Sequence, residues 1–155
     1  MRFEFLFLGK TKEAYLAAGI ADYAKRLSHY IPADIKILKE KKAKKGTPDN
    51  VQIEKDSEIL LQNVQGPCLV CLDRTGRQID SVKLAARIEN WEMQGQKKIT
   101  FVIGGPLGLS PAILEKADLI LSLSPMTFTH EMVRLLLLEQ LYRACTIKSG
   151  EKYHK

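Results

Sequence analysis

Residues 99–111 read Ile99-Thr-Phe-Val-Ile103-Gly104-Gly105-Pro106-Leu107-Gly108-Leu109-Ser110-Pro111. Five apolar or β-branched residues in a row predict a strand buried on both faces. Three glycines then allow a tight bend and close approach of a ligand to the backbone. Ser110-Pro111 pairs a good N-cap with a proline at the first helical position, so a short helix starts there and runs to about Ala117. This order of buried strand, bend and helix recurs along the chain.

Upstream, Phe3 to Leu8 forms a first apolar run. From Lys12 to His29, Tyr15, Leu16, Ala18, Ile20, Tyr23, Ala24 and Leu27 fall at helical spacing. Pro32 breaks the pattern, and Asp34 to Lys39 reads as a second strand. A lysine-rich loop follows as far as Pro48. Asp49 or Asn50 caps a helix to about Asn63. Gln65-Gly66-Pro67 is a break, Cys68 to Leu72 a third strand, and Asp73 to Gln78 a turn. Asp80 or Ser81 caps a helix carrying Leu84, Ala85, Ile88 and Trp91 and ending at Gly95. Leu119 to Leu123 is a fifth strand, and a long helix spans about Thr129 to Thr146. With no internal repeat and no low-complexity linker, residues 1–155 read as one domain. Apolar strands alternating with helices predict an α/β fold, a mostly parallel sheet of five or six strands with helices on both faces. Ligands of such sheets bind beyond the C-terminal ends of the strands. That rule selects three loops: Leu72 to Arg77, Gly104 to Ser110 and Ser122 to His130.

The composition agrees. The chain has 155 residues, 45% hydrophobic and 27% charged, which excludes wholesale disorder, collagen-like structure and a membrane bundle. No run approaches the roughly 18–20 apolar residues that span a bilayer. The apolar N-terminus carries Glu4 and no small-residue cleavage site, so it reads as a strand rather than a signal peptide, and a cytoplasmic location is expected. Cys68-Leu-Val-Cys71 has the spacing of a redox or zinc half-motif. It sits in a buried strand, however, where residues three apart face opposite ways, and no second pair completes a metal site. Both thiols are therefore expected to be structural, and no metal is expected.

Charge is concentrated. The net charge is +6. Six lysines between Lys36 and Lys45 face one acid, Glu40, and three more close the chain from Lys148 to Lys155 against Glu151. The rest is near neutral. Basic clusters on a neutral body suggest a polyanionic partner, nucleic acid first, or else a solvated loop. Lys41, Lys42, Lys44 and Lys45, with Tyr153 and Lys155 in the tail, are the candidate RNA contacts.

The glycine bend is neither a G-x-G-x-x-G fingerprint nor a phosphate-binding P-loop. The third loop, Leu121-Ser-Leu-Ser-Pro-Met-Thr-Phe-Thr-His130, is rich in hydroxyls and poor in charge. It suits main-chain hydrogen bonds and apolar contact with a neutral adenine or ribose, or simply a polar connection. The last helix is apolar on nearly every side and must be covered on more than one face, by the sheet and by a second subunit in a two-fold dimer. His130 and Arg134 share one of its faces, and Glu139 and Arg143 form an i,i+4 pair on another.

Gly-Gly-Pro-Leu-Gly-Leu-Ser at 104–110, Leu-Ser-Pro-Met-Thr-Phe-Thr-His at 123–130, Arg134 with Glu-Gln-Leu-Tyr-Arg at 139–143, and the closing Tyr153-His154-Lys155 occur in this order. Together they resemble the ribosomal RNA large-subunit methyltransferase H family of the SPOUT class, over the whole chain. The resemblance implies a C-terminal trefoil knot, a homodimer, and methylation by S-adenosylmethionine of N3 of a pseudouridine in 23S rRNA of the assembled ribosome. It implies a cofactor site at Leu72, Gly104, Gly105, Leu123, Ser124, Pro125, Met126, Thr127 and Phe128, on the loops that the strand-end rule selects. Thr129 departs from the family, which commonly has proline there. It either loosens the loop or caps the last helix.

Methyl transfer needs nucleophile and methyl close and aligned, and the N3 imide must first lose its proton. Candidate acceptors or electrostatic partners are His154, His130, Arg134 and Arg143. His130 is alternatively a helix-start residue, and Arg143 a salt-bridge partner of Glu139. Two other functions fit the residues less well: a catalytically silent ribosome-binding factor of the same fold, and a flavodoxin-like nucleotide-binding enzyme.

Overall fold

A computed structural model describes residues 1–154. Its elements are β1 (Arg2–Leu8), α1 (Ala14–Ser28), β2 (Ala33–Leu38), α2 (Asp49–Asn63), β3 (Cys68–Gln78), α3 (Ser81–Met93), β4 (Lys98–Ile103), α4 (Pro111–Leu114), β5 (Leu119–Ser122) and α5 (His130–Lys148). The five strands form one sheet in the order β2-β1-β4-β3-β5, every pair parallel.

The two-residue period of β1 sorts its side chains into two layers. Phe3, Phe5 and Phe7 face the larger layer, where Leu27, Ile88, Trp91, Leu137, Leu138 and Leu141 from α1, α3 and α5 cover the sheet. Phe101 stacks on Phe5 with ring centroids 5.3 Å apart and meets Phe3 edge-on at 5.2 Å. Each such ring, fully buried, contributes roughly 2–3 kcal/mol of apolar transfer free energy. Leu6 faces the smaller layer with Leu69, Cys71, Val102, Leu60 of α2 and Ile113 of α4. Cys68 and Cys145 lie in the larger layer and Cys71 in the smaller. All three are free and buried, and the two of β3 face opposite layers as its alternation predicts. Burial pushes their thiols up, to about 11 for Cys68 and Cys145 and about 12 for Cys71.

Four sequence expectations are revised. The polar stretch 73–78 continues β3 rather than forming a turn. After an excursion at residues 73–76 the strand pairs with β5 a second time, Arg77 opposite Leu121 and Gln78 opposite Ser122. A Cβ on Gly76 would lie 2.6 Å from the Ile120 carbonyl oxygen, so only glycine fits where the two backbones touch. The helix after Ser110 is a single turn ending at Leu114. Lys36 is not a free member of the basic cluster. Its ammonium lies 2.6 Å from Glu4, which is buried on β1 and also paired with Lys98 at 2.8 Å. Burial alone would raise the Glu4 carboxyl, but the two lysines outweigh it and hold it below its ordinary value. Finally, much of the cover of α5 comes from its own chain, because α1 and α3 pack on either side of it.

Candidate active site

Three loops meet at the C-terminal ends of β3, β4 and β5. They enclose a pocket of about 270 Å³ lined by Leu72, Gly104, Gly105, Leu123, Ser124, Met126, Thr127, Phe128 and His130, among others. That volume is near the low end for small-molecule sites.

The glycine loop has the shape its sequence demands. Gly105 and Gly108 bridge, with Gly108 N–H donating to the Gly105 carbonyl at 3.0 Å. Gly108 has φ +90°, and a Cβ on Gly104 would lie 2.5 Å from the Gly108 carbonyl oxygen. The loop is tied to α2, where Ser110 N–H donates to Ser57 Oγ at 2.8 Å. Ser110 Oγ is buried without a partner and does not cap α4.

The third loop is held by its hydroxyls. Ser122 Oγ donates to the Ser124 carbonyl, and Met126 N–H to Ser124 Oγ, both at 3.0 Å. Thr129 Oγ1 accepts the Met132 amide at 3.3 Å, so the residue that replaces the family's proline caps α5. Pro125 belongs to this loop but is not among the lining residues.

His130 is half-buried in the pocket wall. Burial first, and the neighbouring Arg134 charge second, hold its imidazole below the ordinary value, so the ring is neutral at neutral pH. Glu131, the next residue, reaches back to α1. Its carboxylate accepts Lys12 N–H at 3.0 Å and Glu13 N–H at 3.2 Å. Burial would raise this carboxyl, but the two amides outweigh it and the group sits below its ordinary value. Arg134 is fully buried and stands behind the pocket rather than in its lining. Its guanidinium donates to the Leu8 carbonyl at 2.6 Å and Thr11 Oγ1 at 3.0 Å, and lies 4.8 Å from the Phe7 ring centroid. Its Nε has no partner.

The remaining candidates lie elsewhere. Arg143 is 13 residues beyond His130 on α5, a rise of about 20 Å. It donates to Glu139 and stacks 4.7 Å from the Tyr153 ring centroid. Tyr153 Oη hydrogen-bonds Tyr23 Oη at 3.2 Å and donates to Glu139 at 3.1 Å. His154 is exposed, and none of the three lines the pocket. Lys155 lies outside the described residues. Lys41, Lys42, Lys44 and Lys45 are all exposed on the loop after β2, with no carboxylate partner among the described residues. That loop is tethered by Gln52 Nε2, which donates to the Lys41 carbonyl at 2.9 Å.

Sequence reasoning missed Glu131, whereas the pocket residues Asp73 and Arg74 lie in the first of the three loops it selected. Glu131 had a signal: α1 opens at Glu13 with no capping side chain of its own, so its N-terminus needed an acceptor from elsewhere.

Comparison with known proteins places this architecture. The family model described as "Predicted SPOUT methyltransferase" matches residues 1–154. The chain belongs to the SPOUT methyltransferases, among the ribosomal RNA large subunit methyltransferase H proteins. The protein of that name from Desulfotalea psychrophila is 51% identical, and that from Halothermothrix orenii 44%, each alignment covering 100% of both chains. A probable methyltransferase from Bordetella pertussis superposes with a TM-score of 0.54 at 12% identity, covering 93% of this chain and 96% of the other. The tRNA (m1G37) methyltransferase of Aquifex aeolicus gives 0.50 at 14%, covering 92% and 70%. At these identities the two structures share the SPOUT fold alone. Among the described residues no cluster of His, Cys, Asp and Glu could hold a metal ion, and no helix is long and apolar enough to cross a membrane.

Proposed function

We propose that the chain transfers a methyl group from S-adenosylmethionine to N3 of a pseudouridine in 23S rRNA of the assembled ribosome. It would act as a homodimer in the cytoplasm, with its C-terminal part in the trefoil-knotted form of its class. One observation carries the reading. Three loops drawn from residues 72–133 converge on one pocket, and with Pro125 aside its lining holds every residue that the family resemblance assigns to the cofactor.

The residues fit that donor. Leu72, Ile103, Leu121 and Leu123 give apolar walls for an adenine, and Ser124, Thr127 and the glycine backbone offer polar contacts without a fixed negative charge. When bound, S-adenosylmethionine supplies an electrophilic methyl carbon. The chain's part is to orient the base, exclude water and take up the N3 proton. His130, neutral and at the pocket wall, is one acceptor of that proton, and His154 another. Arg143, brought by a second copy, supplies positive charge that favours the deprotonated base, while Arg134 anchors the start of α5 behind the pocket.

Dimerisation is supported by the incompleteness of one copy. Arg143, Tyr153 and His154 sit far along α5 from the pocket, while Leu107, Met126 and Phe128 stand exposed at its mouth. A second tail folded over that mouth would unite them. Sedimentation should then give about twice the 17.5 kDa chain mass.

The deciding experiment is transfer of labelled methyl from S-adenosylmethionine to 70S ribosomes, with free rRNA and separated subunits as controls. Label in 23S rRNA of ribosomes is expected, and its absence would overturn the reading. Calorimetry with S-adenosylmethionine separates this enzyme from a silent ribosome-binding factor. Replacing Lys41, Lys42, Lys44 and Lys45 by alanine should weaken ribosome binding and flatten its salt dependence while sparing donor affinity.

A further inference from the structure

The lysine loop follows β2, at one edge of the sheet. At the other side lies a second set of cations that the active-site reading does not use. Arg74 and Arg77 project from the β3 extension, both exposed. Arg77 also lines a groove with Ile79 and with Lys83, Ala86, Arg87 and Asn90 of α3. Lys83, Arg87 and Asn90 recur every three to four residues, so they form one stripe along the helix face.

Arg74, Arg77 and Arg87 have no carboxylate partner among the described residues. The nearby acids are otherwise engaged. Asp73 Oδ1 accepts both the Thr75 amide and its hydroxyl, and Asp80 pairs with Lys83 at 3.0 Å. Arg74, Arg77, Lys83 and Arg87 thus face two carboxylates, Asp73 and Asp80, and the patch carries a surplus of two positive charges. It is also held in place. Arg77 pairs with Leu121 through the backbone, Gly76 packs directly on Ile120, and Arg74 lines the candidate active site.

We infer that Arg74, Arg77, Lys83 and Arg87 form a docking strip for the sugar-phosphate backbone of the substrate RNA. Guanidinium forks suit phosphate oxygens, and three of them without protein partners keep their donors free. β2 and β3 are three strand spacings apart, about 14 Å, and the pocket opens at the ends of β3, β4 and β5, with Arg74 of the strip in its lining. RNA crossing the pocket mouth would be gripped by the strip beside the target base. A second copy of this basic chain is a poor partner for the strip, because like charges would face each other. The inference rests on the RNA-methylating reading above.

The test is binding of the double variant Arg77→Ala/Arg87→Ala to ribosomes and to naked 23S rRNA between 50 and 200 mM salt. Each phosphate contact contributes about 0.7–0.9 to the slope of log affinity against log salt. Loss of two contacts should make the slope shallower by about 1.5 on both targets. The advantage of the unmodified protein then shrinks about eightfold across that range. Affinity for S-adenosylmethionine and the urea midpoint should not change. The pair Arg77→Lys/Arg87→Lys should keep the slope. Should the alanine pair unfold, Arg77→Gln alone, at an exposed position, should lower the slope by about 0.8. An unchanged slope and affinity in a folded variant would overturn the strip. Weaker ribosome binding at an unchanged slope would place a ribosomal protein there and overturn it equally. Absence of methyl transfer by the unmodified protein would instead overturn the active-site reading, since the salt slope does not depend on turnover.

Discussion

The two ends of α5 are built on different principles. At its start Glu131 and Arg134 are buried, and each bonds a segment more than 100 residues away in sequence. At its far end Glu139, Arg143 and Tyr153 form a partly exposed network among side chains of α5, the tail and Tyr23. The front end fastens the last helix to the first strand and the first helix. The rear end holds a short tail against the surface of its own chain, at small cost to release. The difference separates residues that hold the pocket's shape from residues free to act elsewhere.

Arg134→Ala strikes the front end hardest. It empties a fully buried volume and leaves the Leu8 carbonyl without its charged donor, so unfolding in urea should show a loss of about 3–4 kcal/mol. A loss under 1 kcal/mol would erase the contrast between the ends. His154→Ala strikes the rear end and should behave oppositely. Methyl transfer should fall about 10²-fold with no change in the urea midpoint, and unimpaired turnover would reject a role for this imidazole.

Glu131→Ala should cost about 2 kcal/mol by removing a charged acceptor from two amides. Its native carboxyl sits below the unfolded value of 4.5. The stability it contributes is therefore complete above that pH and is lost as the pH falls through the native value. A Glu131→Gln variant should lose this acid-dependent part, which a stability profile between pH 6 and 3 would show. Arg143→Ala should have the smallest effect on stability, below about 1 kcal/mol, because its ion pair with Glu139 is partly solvated. A larger loss would mean that the tail network is structural after all.

Much of this was readable in advance. Five strands, four of the helices and the loops at the strand ends follow from hydrophobic period and capping residues. Even Thr129 as an N-cap was one of two foreseen outcomes. What escaped depends on partners distant in sequence. Asp73-Arg-Thr-Gly-Arg-Gln78 is polar and contains glycine, so nothing local marks it as a strand; its pairing with β5 makes it one. Lys36 reads as one more loop cation until Glu4 is seen beside it. Arg134 reads as a site residue from its spacing to His130, whereas its hydrogen bonds to Leu8 and Thr11 show an anchor.

The three thiols offer a use of the fold that chemistry can exploit directly. Burial keeps them protonated and sealed, Cys68 and Cys145 on one side of the sheet and Cys71 on the other. An alkylating reagent can reach each only when its layer opens. Mass-resolved labelling would thus time the parting of the two sides independently, with no probe added to the protein.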